Sequence, residues 1–334
     1  MNILFTCAGR RRYLLKYFKD ILGDEDCIIA TDMQLSAPAL SLADIVKKVP
    51  HVYADDYVDV TLDICKRYQV RVLIPLNDLE LPVLASNKKR FEAIGVSVIV
   101  SSSDVIDTCF DKYETARFLT SIGLNIPRTY IHYDAALQAL CDKKLHFPLV
   151  LKPRWGSGSI GIEFVDNVYE LEVMYAFLKK KIQKSILSNA SGDEEYILIQ
   201  EKIEGPEYGL DIMNDLSGNY QGVSVKQKLS MRSGETDKAL IIENKEMEKI
   251  AACIARNLKH VANLDCDILE RNGQYYVLDL NPRFGGGYPF SHEAGVNLPK
   301  AIIAWMKGFS PEKKWFVPRV GGMYSKCDTL VCVE

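Results

Sequence analysis

Along the first hundred residues, short apolar runs alternate with stretches whose apolar positions recur every three or four residues. Residues 2–6, 27–31, 70–75 and 96–100 are β-branched or aromatic and read as buried strands. Residues 11–22 (ended by Gly23), 58–68 and 88–94 (closed by Gly95) read as amphipathic helices between them. This alternation predicts an α/β domain over residues 1–110, a doubly wound parallel sheet with helices on both faces.

From Ser101 the pattern changes. Residues 104–122 read as one helix, closed by Gly123 and followed by Pro127. Residues 147–152 read as a strand that runs into a glycine loop, and residues 168–183 as a helix. The lysines at 179–181 and the polar residues 188–195 suggest a solvated mobile loop. Strands follow at 196–200, 208–213 and 220–227, then a helix at 245–260. The expected organisation is α/β followed by α+β, with further boundaries giving 111–195 and 196–334. No internal repeat is visible.

The densest chemistry lies in Asp279-Leu280-Asn281-Pro282-Arg283-Phe284-Gly285-Gly286-Gly287, after the strand-like Tyr275-Tyr276-Val277-Leu278. Residues two apart on a strand share a face, so Asp279 and Asn281 present two oxygens side by side. Hard cations such as Mg²⁺ or Mn²⁺ take such oxygens. Arg283 repeats the spacing and can neutralise a phosphate, and the glycines permit close backbone approach. An Asp-x-Asn-Pro strand end is also an ordinary turn entry. Asp267 decides between the readings: it sits in a preceding strand-like run, and Asn272-Gly273 predicts a hairpin that brings it beside Asp279. Three metal ligands then converge.

Size and charge narrow the class. The chain has 334 residues, enough for two or three cored domains. Its formal net charge of -3 gives no basic field for nucleic acid, and no apolar run is long enough to cross a bilayer. The N-terminus lacks the pattern of a signal peptide. Nine cysteines, with no Cys-x-x-Cys pair, suggest free thiols and a cytoplasmic protein rather than a disulfide framework or zinc site.

Two further segments bear on nucleotides. Lys152 ends a strand and is followed by Gly156-Ser157-Gly158-Ser159-Ile160-Gly161, whose backbone N–H groups could fold over phosphates. No Gly-Lys-Ser/Thr follows, so it is not a P-loop. The run from Ile197 to Tyr208 carries Glu201, Ile203 and Glu207 around a turn, where acids and backbone groups could read an adenine and a ribose, although both glutamates could be plain surface acids.

Taken in order, these segments resemble the ATP-grasp superfamily, in its carbamoyl phosphate synthetase large-subunit-like and carboxylate–amine ligase branch. The resemblance runs from Asp111-Lys112-Tyr113 through Pro148–Pro153, Gln200-Glu201 and Arg232–Thr236 to Asp279–Gly287. It implies a pre-ATP-grasp domain followed by a two-lobed ATP-grasp fold, using ATP and Mg²⁺ or Mn²⁺ on small-molecule carboxylate and amine substrates. Lys112 and Lys152 would then contact the phosphates or adenine pocket, and the loop from Gly156 through Ser157, Gly158 and Ser159 would close over the phosphates. Glu201 and Ile203 would lie at the adenine and hinge, and Glu207 at the ribose. Asp267, Asp279 and Asn281 would hold one or two metal ions. Arg232 and Arg283 would stabilise the transferred phosphoryl group and an acyl phosphate. The family often has Glu or Gln where this chain has Asp.

Other readings compete. A nicotinamide fold is suggested by Ala8-Gly9-Arg10 after the first strand and Asp32 after the second, but only Gly9 of the needed glycines is present. The basic turn Arg10-Arg11-Arg12 then reads as solvated, with substrate-carboxylate binding second. A non-catalytic ATP-binding module would not need the full ligand set. Carbamoyl-phosphate-type activation of bicarbonate would need a partner chain, since one ATP-grasp unit is present. Asn77, Asp78, Glu80 and His292 are weaker substrate-side candidates. Residues 302–306 could be core or a homodimer interface.

Overall fold

The computed structural model describes residues 1–156, 161–184 and 195–332. The first layer is β1 (Asn2–Thr6), α1 (Arg12–Lys19), β2 (Ile28–Asp32), β3 (Ile45–Lys48), α2 (Tyr57–Arg67), β4 (Val70–Pro75), α3 (Leu81–Glu92) and β5 (Ser97–Val98). The strands are parallel in the order β3-β2-β1-β4-β5, the doubly wound sheet expected. Ile3 and Phe5 face one side and Leu4 the other, so both faces are covered by apolar clusters. Helix α3 begins seven residues before the expected 88. Pro82 sits in its first turn, where the missing N–H costs nothing, so an apparent breaker marks a start.

The single helix expected at 104–122 is two, α4 (Ser103–Phe110) and α5 (Lys112–Ser121). Asp111 breaks it. Its backbone is extended, and its carboxylate caps α5 by accepting from Tyr113 N–H at 2.9 Å. The same carboxylate accepts twice from Arg154 Nε at 2.9 Å. A capping aspartate inside a periodic run is a stop and a restart.

The second lobe comprises β6 (Thr129–Tyr130), α6 (Tyr133–Cys141), β7 (Leu149–Pro153), β8 (Glu163–Val165), α7 (Val168–Gln183) and β9 (Ile197–Glu201), with sheet order β6-β9-β7-β8. Here the boundary drawn at 195/196 is corrected. β9 pairs antiparallel with β7, Lys152 opposite Leu198, and so belongs to the second lobe. The crossing to the third lobe lies at residues 202–206.

The third lobe contains β10 (Glu207–Asn214), β11 (Tyr220–Arg232), β12 (Glu235–Ile242), α8 (Lys245–Leu258), β13 (Asn263–Arg271), β14 (Gln274–Asn281), α9 (Tyr288–Glu293), α10 (Leu298–Met306) and β15 (Met323–Ser325). Its antiparallel order is β14-β13-β10-β11-β12-β15. One face packs Leu210, Ile212, Leu264, Cys266, Ile268 and Leu280 against α8 residues Ala251, Ile254 and Ala255. Helix α10 turns back to the first domain, where Ile302 and Ile303 share a core with Ile3, Phe5 and Leu14. These two residues are therefore core. All nine cysteines are free, and among the described residues no helix is long and apolar enough to cross a membrane.

Candidate active site

The open face of the third-lobe sheet carries the facing carboxylates. Asp267 stands directly opposite Asp279, and Asp265 opposite Asn281, across the β13–β14 ladder. The register shifts between Asp267 and Ile268, where Leu278 is the extra residue on β14. Without that bulge, Val277 and Asp279 could not occupy opposite pleats and Val277 could not join the core. On the adjoining strands, Gly209 lies beside Asp267, with Lys226 as its next neighbour. The glycine leaves room for two lysine stems: a Cβ there would meet Lys228 Cε at 3.2 Å and Lys226 Cε at 3.5 Å.

Lysines face these acids. Lys152, 5% exposed at the end of β7, puts Nζ 3.3 Å from Asp279 Oδ1, joining the second lobe to the third. Burial pushes the Lys152 ammonium down against the pull of Asp279, with Lys112 adding to the push. Burial alone would raise Asp279, but Lys152, Lys112 and Lys228 outweigh it and hold the carboxyl below its ordinary range. Lys228 Nζ bridges Asp267 at 2.6 Å and Glu207 at 2.7 Å. Burial opposes that ammonium too, yet the two acids win and raise it. Asp267 is pushed up to about 6 by burial, with Asp265 and Glu207 adding to the rise against Lys228. Lys112 Nζ donates to the carbonyl of Gly156.

Arg283 is clamped. Its Nη1 donates to Asp265 at 3.0 Å and its Nη2 to Asp78 at 2.8 Å, a residue of the first domain. Its Nε is buried without a hydrogen-bond partner among the described residues. Next to it, Gly285 runs so close beneath Asp265 that any Cβ would overlap the carboxylate. That is what the glycine after Phe284 is for.

A cavity of about 240 Å³ opens over this face, lined among others by Lys112, Lys152, Gly156, Lys226, Lys228, Asp265, Asp267, Asp279, Asn281 and Arg283. Of the sequence candidates, Lys112, Lys152, Gly156, Asp267, Asp279, Asn281 and Arg283 are thus brought together. Ser157, Gly158 and Ser159 lie outside the described residues, as do residues 185–194 of the expected loop. Glu207 meets the site through Lys228. Ile203 is buried in the crossing between β9 and β10, and Glu201 pairs with Arg271 at 2.6 Å on a neighbouring surface.

Four candidates sit elsewhere in function. Arg232 ends β11 facing outward, pairing with Asp328 at 2.7 Å and Asp237 at 3.2 Å, while its neighbour Met231 lines the cavity. Alternation along the strand excludes Arg232 from the face that Met231 occupies. Glu80 is fully buried and accepts from Leu76 N–H at 2.8 Å, Asn77 N–H at 3.1 Å and Tyr57 O–H at 2.9 Å, so it builds a turn. Asn77 caps that turn through Leu79 N–H. His292 stacks on Tyr17 with ring centroids 3.6 Å apart, and burial keeps it neutral-leaning. Asp78 alone of this group reaches the site, through Arg283.

Sequence reasoning missed Lys226, Lys228, Asp265 and Glu235, and it put a solvated turn ahead of substrate-carboxylate binding for Arg11, which lines the cavity. Lys226 is 1% exposed and forms a 2.5 Å pair with Asp211, which also accepts from Ser291 Oγ. The available signal was Asp265-x-Asp267, the same two-residue spacing that marked Asp279 and Asn281.

The donor set suits a hard divalent cation: three carboxylates and a carboxamide on one sheet face, with Asp267 raised first by burial and then by Asp265 and Glu207. Among the described residues no three His, Cys, Asp or Glu side chains are gathered to hold a metal as they stand. Lysines occupy the acids instead. Asp267, Asp279 and Asn281 would have to release Lys228 and Lys152 to take one.

Comparison with known proteins identifies the family and the fold. A family model described as PylC-like, N-terminal domain matches residues 3–99, and one described as ATP-grasp domain matches residues 109–287, more than half the chain. The carbamoyl phosphate synthase large chain of Campylobacter jejuni is 25% identical over 240 residues, covering 68% of this chain and 21% of that protein. The chain therefore spans about a fifth of the length of that relative. Among solved structures, the biotin carboxylase of Campylobacter jejuni superposes with a TM-score of 0.71 at 16% identity, covering 96% of this chain and 74% of that one. An L-amino acid ligase from Bacillus licheniformis gives 0.70 at 19% identity, covering 90% and 74%. These structures share the fold, and the match over residues 109–287 makes this chain a member of the ATP-grasp family.

Proposed function

We propose that the chain is an ATP-dependent carboxylate–amine ligase that works through an acyl phosphate. The observation that carries it is the facing pair Asp267 and Asp279, flanked by Lys152 and Lys228 from separate strands, in a cleft where Arg283 is also held. A carboxylate oxygen attacks the γ-phosphorus of ATP and ADP leaves. An amine nitrogen then attacks the acyl carbon, phosphate leaves, and the amine sheds a proton. The chain's work is positioning and charge compensation. Lys152 and Lys112 meet phosphate oxygens, while Glu201, Ile203 and Glu207 serve the adenosine end. Arg283, rigid between Asp265 and Asp78, keeps a positive charge at the cleft for the transferred phosphoryl group. Asp267, Asp279 and Asn281 would hold a hard divalent cation, which would supply charge compensation for the triphosphate. Free thiols throughout fit a reducing compartment, so the cytoplasm is the proposed location.

The test is ADP and phosphate release with Mg²⁺-ATP, screened against pools of amino acids and small carboxylic acids, with the amide sought by mass spectrometry. Release that needs one acid–amine pair supports the reading. Likeness to a carbamoyl phosphate synthase large chain favours a second reading, bicarbonate activation with a partner chain; release stimulated by bicarbonate and ammonia selects it. ATP binding with no stimulated release sinks both in favour of a binding module.

A further inference from the structure

The arginine turn after β1 is left unexplained by phosphate chemistry, yet it reaches the cavity. Arg11 lines the cavity together with Glu235, Gly286 and Gly287. Its guanidinium is fixed from two sides: Nε donates to the carbonyl of Leu76 at 3.0 Å, and Nη1 to Tyr13 Oη at 3.1 Å. Tyr13 in turn donates to the carbonyl of Gly285 at 3.3 Å, and burial keeps that phenol protonated. A backbone carbonyl and a braced phenol thus hold one guanidinium, and Nη2 has no hydrogen bond to a described residue. A surface arginine needs no such brace. Rigid presentation with a free N–H edge is what recognition of a planar oxyanion requires.

Glu235 supplies the opposite charge in the same cavity. It lies over the Gly286 backbone, where a Cβ would come 2.9 Å from its carboxyl carbon, and it accepts from Lys326 at 3.0 Å. Burial would raise this carboxyl, but Lys326, Arg11 and Arg10 hold it low and charged. An anion reader and a cation reader therefore line one cavity, Arg11 braced through Tyr13 to Gly285 and Glu235 held by Lys326 beside Gly286.

We propose that Arg11 and Glu235 form the recognition site for an α-amino acid substrate, Arg11 taking its spectator carboxylate and Glu235 its ammonium. This rests on the ligase reading for its place in the reaction, but binding alone tests it. Titration calorimetry with the full chain, Mg²⁺ and a non-hydrolysable ATP analogue is run against each proteinogenic L-amino acid, its D-enantiomer and the corresponding α-amide. At least one amino acid is expected to bind, with its amide weaker by about ten- to a hundredfold. Arg11→Gln is expected to weaken the amino acid by a similar factor and to level it with the amide, while Arg11→Lys restores part of the preference. Glu235→Gln should weaken the amino acid and leave the corresponding desamino acid unaffected. The idea is overturned if no amino acid binds, if amide and acid bind alike, or if Arg11→Gln keeps the discrimination in a variant that melts like the parent. Binding without any ADP release in the turnover screen would defeat the ligase reading and leave the site standing.

Discussion

Asp267 and Asp279 face each other across two strands, yet each is bonded to a lysine from a different element, Lys228 at 2.6 Å and Lys152 at 3.3 Å. Two carboxylates side by side in a half-buried cleft repel one another, and the lysines relieve that strain. Lys152 comes from the second lobe, so this pair is also a seam between lobes. Binding an anionic nucleotide with a cation would exchange partners: metal to the acids, lysines to the phosphates.

Lys152→Ala should therefore lower kcat/KM for ADP release by at least about a hundredfold, by analogy with other preorganised charge donors. Asp279→Ala should do the same and also lose stability, because it strands the buried Lys152 ammonium. Asp279→Asn keeps the shape and is the cleaner variant. Steady-state kinetics with circular dichroism melts would separate the effects; full activity in either Lys152→Ala or Asp279→Asn ends the site assignment.

Gly285→Ala tests the close approach beneath Asp265. The added methyl overlaps the carboxylate that orients Arg283, so either the strand or the clamp must shift. A loss of about 1–3 kcal/mol in stability is expected from overpacking, with kcat falling because Arg283 is no longer held. An unchanged melt and unchanged kcat would show that the Asp265–Arg283 bond is dispensable.

The β13–β14 hairpin that sets Asp267 opposite Asp279 was legible because alternation and an Asn-Gly turn both point the same way. The bulge at Leu278 was not, since a residue inserted into a strand leaves no mark in an all-apolar stretch. Lys226 and Lys228 were hidden for another reason: lysines on a long strand read as solvated, and their partners lie on other strands, Asp211 on β10 and Asp267 on β13. Arg232 was carried in by a linear resemblance, and the Ser233-Gly234 turn, with both residues at positive φ, leaves it on the outer face. That same turn, a Ser-Gly dipeptide before an alternating run, was the available signal for β12.

Glu80 offers a contrast with the cleft acids. Every one of its oxygens accepts a bond that shapes the turn after β4. Glu80→Ala should cost about 1–3 kcal/mol by orphaning Leu76 and Asn77 N–H, whereas Glu80→Gln retains acceptor geometry and most of the stability. Denaturant melts of the two variants check it. Equal losses in both would mean that charge, rather than the accepted bonds, is what the fold uses.

The last expectation concerns pH. Burial, aided by Asp265 and Glu207, raises Asp267 from 3.8 to about 6. The folded state then binds this proton more tightly than the unfolded chain does, so its stabilising effect is complete below about pH 4, where both forms are protonated. As pH rises toward and past 6 the folded carboxyl ionises against its neighbours, and that contribution is lost. Metal binding runs the other way, since a cation needs the carboxylate. Mn²⁺ or Mg²⁺ affinity should therefore climb about tenfold per unit up to pH 6 and level off above it, as expected for competition with one proton. Melting temperature with and without the metal, followed from pH 5 to 8, reads both trends at once. Asp267→Asn should flatten the metal-free trend near pH 6 and weaken the cation at every pH. A metal affinity that keeps rising through pH 8 would assign the controlling proton to another group.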